Sequence, residues 1–92
     1  MTVAERIETK LTDALSPLRL RVVDDSDKHK GHAGWREGGE THFRVEVVSE
    51  AFDGKSRVER QRMVYNLLAD ELSGAVHALQ LKTLAPSEDT GR

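Results

Sequence analysis

Apolar positions along this 92-residue chain follow two spacings, and the switches between them mark the elements. Val3, Ile7, Leu11, Ala14 and Leu15 recur every three or four residues, which puts them on one stripe of a helix. Thr2 and Glu5 form a capping box at its start, and Ser16-Pro17 ends it, because the residue before a proline is pushed out of the helical region. The stretch "LRLRVV" then alternates Leu18, Leu20 and Val22 against Arg19 and Arg21, the period of a half-buried strand. Alternation resumes in "THFRVEVV" through Phe43, Val45 and Val47. "AFDGKS" reads as a turn, and Ser56 with Glu59 repeats the capping-box signature. From there Val58, Met63, Val64, Leu67, Leu68 and Leu72 predict one long amphipathic helix over residues 56–74, with Gly74 as its C′ residue. "VHALQLKTL" is a third strand with His77, Leu79 and Leu81 on one face.

The predicted order is helix, strand, strand, helix, strand: an α+β domain over residues 1–86, with a three-stranded mixed sheet packed by helices on one face. Residues 87–92 are read as a polar, disordered tail. Strands one and two form a hairpin and are antiparallel. Strand two, the long helix and strand three form a crossover unit, which makes those strands parallel. Strand three therefore starts at the end of the sheet where strand two starts. The connection "DDSDKHKGHAGWREGGE", residues 24–40, joins the hairpin at that same end. His77 and the loop histidines His29 and His32 are thereby expected at one rim.

Composition narrows the chemistry. With 33% charged residues and a net charge of −2, the surface is mixed in sign, unlike that of a dedicated DNA-coating protein. The four aromatic residues Trp35, Phe43, Phe52 and Tyr65 offer little for base stacking. No cysteine is present, so neither disulfides nor thiolate ligands come from this chain. No run is long and apolar enough for a membrane span, and a soluble cytoplasmic protein is the expectation.

Imidazole suits zinc, iron, copper and nickel, and the four histidines are His29, His32, His42 and His77. Two or three at one rim leave a coordination sphere incomplete, to be filled by water, by Asp25 or Asp27, or by another molecule. The competing readings are that His77 is a partly buried histidine satisfied by a backbone carbonyl, and that His29 and His32 are solvated loop residues. His42, opposite Phe43 on strand two, reads as structural or exposed rather than as a ligand. "GKS" at Gly54–Ser56 resembles the end of a phosphate-binding loop, but Ser49 stands where that motif needs its first glycine. Lys55, Arg57, Arg60 and Arg62 cluster at the start of the long helix and form a candidate nucleic-acid contact, against the alternative of a solvated helix face. No arrangement of residues points to an enzyme.

Taken together, "VVDDSDKHKGHAG", "ETHFRVEVVSEAFDGKSRVERQRMVY" and "VHALQLKTLAP" resemble the BolA family, from about Arg19 to Pro86. The resemblance implies a class II KH-like fold, although "GKSR" lacks the second glycine of the GxxG loop that nucleic-acid-binding KH domains use. It also implies a monothiol glutaredoxin as partner, and a bridging [2Fe-2S] cluster shared with glutaredoxin and glutathione and not held tightly by this chain alone. The family's C-terminal histidine matches His77; the variable loop ligand matches His29, with His32 as a second candidate. Alone, the chain is expected to be a monomer or weak homodimer. The resemblance carries a second implication, a DNA-binding transcriptional regulator of morphology and stress response, contacting DNA through Lys55, Arg57, Arg60 and Arg62.

Overall fold

A computed structural model describes residues 2–25 and 41–89. The elements are α1 (Val3–Leu15), β1 (Arg19–Asp24), β2 (His42–Val48), α2 (Arg57–Leu67), α3 (Ala69–Ser73) and β3 (Ala78–Leu84), with 3-10 turns at Glu50–Phe52 and Pro86–Glu88.

Both capping boxes form. Thr2 Oγ1 accepts the Glu5 N–H at 3.1 Å and Glu5 Oε1 accepts the Thr2 N–H at 2.9 Å; Ser56 and Glu59 repeat the exchange at 3.1 and 2.8 Å. Helix α1 buries Val3, Ile7, Leu11 and Leu15, while Ala14, expected on that stripe, faces solvent. It closes on Ser16, whose N–H still bonds the Thr12 carbonyl at 3.1 Å and whose left-handed φ of 43° then turns the chain out of the helix. The buried Ser49 hydroxyl donates to the Leu15 carbonyl at 2.6 Å and accepts the Ala51 N–H at 3.1 Å, joining the end of α1 to the turn after β2.

The sheet order is β1-β2-β3, antiparallel then parallel. Register places Leu20 opposite Val47 and Val22 opposite Val45, then Phe43 opposite Leu79 and Val45 opposite Leu81. That row packs with Ile7, Leu11, Leu15, Phe52, Val64 and Leu68 into one core between sheet and helices. Alternation sends Arg21, Arg44, Glu46, Gln80 and Lys82 to the other face.

Four expectations are corrected. The long helix is two: α2 stops before Leu68, whose φ of −103° and ψ of 17° interrupt it, and α3 follows. No glycine or proline forces the break. It keeps Leu68 fully buried while bringing Glu71 of α3 under α1, where Arg6 and Lys10 bind its carboxylate at 2.8 Å each. Val58 and Leu18, expected to face inward, are 56% and 66% exposed, because Val58 sits in the first turn of α2 and Leu18 precedes β1, both beyond the edge of the core. Gly74 ends α3 with φ −114° rather than in the left-handed conformation, its N–H bonding the Glu71 carbonyl at 3.2 Å. Finally, order continues past Pro86: Glu88 pairs with Arg60 and Asp89 with Arg19, each at 2.5 Å, so residues 87–89 of the expected tail are fixed by charge.

Candidate functional site

Three strand ends meet at one rim of the sheet. Strand β1 finishes there at Asp24, β2 begins at His42, and β3 begins at Ala78, the register partner of His42. Hairpin plus parallel crossover leaves no other arrangement. The Asp25 N–H donates to the His42 carbonyl at 2.7 Å, joining the end of β1 to the start of β2. The Thr41 carbonyl accepts the N–H groups of His77 at 2.7 Å and Ala78 at 3.1 Å. The backbone of His77 is thus bonded to Thr41, the first described residue after position 40.

His77 stands one residue ahead of β3 rather than within the strand, and its side chain is exposed, unlike the partly buried histidine of the alternative reading. His42 is only 5% exposed, with Nδ1 at 2.9 Å from Thr41 Oγ1. The two imidazole centroids lie 5.4 Å apart with the planes tilted by 54°. The rim therefore pairs an outward imidazole with an inward one. Alternation places His42 opposite Phe43, and its burial agrees with the structural reading, but sequence reasoning did not set it beside His77 at the rim. The signal was present, since the parallel-strand argument that brings His77 to this rim applies equally to the first residue of β2.

Of the other candidate ligands, His29, His32 and Asp27 lie outside the described residues. The Asp25 carboxylate forms an ion pair with Arg44. Among the described residues no group of three or more histidine, aspartate or glutamate side chains gathers to hold a metal ion.

The basic cluster divides. Lys55, Arg57 and Arg62 are exposed. Arg60 is committed to its own chain: Nε donates to the Lys55 carbonyl at 2.9 Å, and Nη1 meets the Thr83 carbonyl at 3.4 Å and Glu88 at 2.5 Å. Its hydrogen bond and charge hold Glu88 below the ordinary carboxylate pKa. The expected four-cation surface is thus three exposed cations beside a structural arginine.

Residues 11–88, which contain this rim and the whole sheet, match the family model described as BolA-like protein. The chain belongs to the BolA family. This BolA-family chain is 46% identical over 91 residues to the DNA-binding transcriptional regulator BolA of Escherichia coli, covering 99% of itself and 83% of that protein. It is 46% identical over 86 residues to human BolA-like protein 1, covering 94% of itself and 60% of that longer protein. The solved BolA domain of SufE1 from Arabidopsis thaliana superimposes with a TM-score of 0.84 at 45% identity, over 94% of each chain. Against the whole SufE-like protein 1 of the same plant, the BolA-family chain spans 24% of the length. No helix among the described residues is long and apolar enough to cross a membrane.

Proposed function

We propose that this BolA-family chain binds a monothiol glutaredoxin and helps ligate a bridging [2Fe-2S] cluster, acting in iron–sulfur cluster assembly or trafficking, or in iron and redox regulation. The observation that carries the reading is the exposed His77 imidazole, bonded through its backbone to Thr41. The donor set fits half of a cluster site. Neutral imidazole is a competent iron ligand, and a chain without cysteine leaves the thiolates to a partner. His77 would hold an iron together with His29 or His32. Imidazole in place of thiolate would raise the cluster's potential by lowering its negative charge. The chain's own contribution is positional: the paired hydrogen bonds to Thr41 fix the backbone of His77 at the rim.

The test is to mix the chain with a glutathione-loaded, cluster-bearing monothiol glutaredoxin and record visible absorption and circular dichroism. The wild type should shift the spectrum and His77→Ala should abolish the shift, with His29→Ala and His32→Ala separating the loop candidates. An unchanged wild-type spectrum, or the same shift with His77→Ala, rejects the ligand assignment.

One observation favours a second reading. The Escherichia coli relative is named a DNA-binding transcriptional regulator, and Lys55, Arg57 and Arg62 are exposed around the start of α2. On that reading Arg57→Ala/Arg62→Ala weakens promoter binding and lowers the logarithmic salt slope by about 0.9 for each phosphate no longer neutralised. Arg60→Ala would instead cost stability, through removal of its bonds to Thr83 and Glu88. Equal affinity for unrelated DNA removes this reading, since specific sites are bound about a thousandfold or more above non-specific ones.

A further inference from the structure

The function proposed above uses His77 and leaves its buried neighbour, His42, without a task. A buried imidazole could be mere core filling, but three features of His42 point elsewhere. Its Nδ1 is engaged by Thr41 Oγ1 at 2.9 Å, so the ring is held on one side. Its centroid lies 5.4 Å from that of His77 with a 54° tilt, inside the roughly 4.5–7 Å range over which tilted aromatic rings attract. And Thr41, which grips the ring, also accepts the His77 and Ala78 N–H groups.

An exposed side chain ahead of a strand ordinarily samples several rotamers. His77 has one wall of its surroundings built by a ring that cannot itself move freely. We infer that His42 is a positioning residue for His77. Held by Thr41 and by its place in β2, it restricts the His77 imidazole to one outward direction and so supplies in advance part of the ordering that ligation requires. This rests on the function proposed above for its consequence, but the orientation of His77 is a property of the chain alone. His42 acts through ring contact, not as a ligand. Side chains that orient a metal ligand change metal affinity by about 10–100-fold when removed.

The experiment uses the whole chain and three variants, His42→Ala, His42→Phe and Thr41→Val, with amide spectra of Val45 and Val47 checking the sheet. The first readout needs no partner: side-chain scalar couplings and ring relaxation of His77. Wild type should show one dominant rotamer, His42→Ala several, and His42→Phe, which keeps a ring, should restore the single one. Thr41→Val, which removes the hydroxyl at 2.9 Å from His42 Nδ1 and leaves the ring in place, should fall between. The second readout is titration of cluster-loaded glutaredoxin followed by circular dichroism. His42→Ala should weaken the complex by about tenfold or more, and His42→Phe should recover most of it. Unchanged His77 couplings in His42→Ala overturn the inference. So does His42→Phe behaving like His42→Ala in the cluster titration while restoring the couplings, because His42 would then be acting through its nitrogens. A wild-type chain that fails to alter the glutaredoxin spectrum rejects the cluster function alone, leaving the rotamer measurement to decide the role of His42. Should His42→Ala not fold, the Phe and Val variants still decide the outcome. A single His77 rotamer in His42→Phe with a partly loosened one in Thr41→Val supports the ring contact, and a disordered His77 in His42→Phe overturns it.

Discussion

Removing both cations that face Glu71, as Arg6→Ala/Lys10→Ala, lowers unfolding free energy by about 3–5 kcal/mol, the cost of leaving a buried charge without a partner. The Glu71 side chain is 1% exposed, whereas those of Arg6 and Lys10 are 45% and 34% exposed. That asymmetry sets the direction of the effect. Deleting a cation strands a carboxylate away from water; deleting the carboxylate strands nothing, because both cations reach solvent. Glu71→Leu should therefore cost far less than the double cation variant, and adding it to that variant should restore most of the stability. Urea denaturation of the four chains checks this. A double variant that unfolds within about 1 kcal/mol of wild type, well short of that penalty, would mean the carboxylate is hydrated or neutral, and the clamp idea fails.

The same group gives a pH signature. Burial pushes the Glu71 carboxyl upward, but the hydrogen bond from Lys10, a backbone hydrogen bond and the charges of Lys10 and Arg6 outweigh it, and the pKa sits below the ordinary 4.5. A folded-state pKa below the unfolded one means that the unfolded chain takes up protons first. The stabilisation is complete above about pH 4.5 and is lost as pH falls through the depressed folded value. Glu71→Gln should flatten that part of the acid limb. Glu88, Glu5 and Glu59 are shifted the same way by their caps and partners and remain in both chains, so the difference between the two curves isolates Glu71.

Phe52→Ala is the second large effect, about 3–5 kcal/mol for emptying a fully buried aromatic site. Phe52 lies in the 3-10 turn between β2 and α2 and packs among Val47, Val64 and the other core residues. Its removal opens a cavity under the point where the crossover begins. A small domain has about 5–15 kcal/mol to lose, so the variant should melt well below the wild type or fail to fold at about 37 °C. Val58→Ala, at a 56% exposed position, should stay within about 0.5 kcal/mol and serves as the comparison. Equal melting temperatures for the two variants would contradict the placement of Phe52 in the core.

The sequence was most legible where a local rule was sufficient. Both capping boxes, the stripe of Val3, Ile7, Leu11 and Leu15, and the alternation through Phe43, Val45 and Val47 depend on neighbours within four residues, and each is realised, Ala14 alone falling off the stripe. The shared rim was also legible, because strand direction follows from connection type: a hairpin and one crossover fix which ends coincide. That rule by itself brings His77 to the start of β2. The expectations for His29 and His32 fall outside the described residues.

What chain order could not decide were the contacts between residues far apart in sequence. The interruption at Leu68 has no breaker residue; it follows from satisfying two partners at once, the core for Leu68 and the cations of α1 for Glu71, 61 and 65 positions away. Phe52 reads as part of a turn because burial of a turn residue depends on what folds over it. Arg60 reads as a free cation because the carboxylate that claims it is 28 residues downstream. His42 and His77, far apart along the chain, become neighbours only through strand register. Which of the two rim histidines faces inward is settled by the packing of Thr41 and His42 into the sheet, not by either residue type. Local patterning determined the elements and their directions, since it acts through the backbone. Tertiary structure alone decided which charges are buried with partners and which imidazole is left facing out, since those depend on distances that only the folded chain creates.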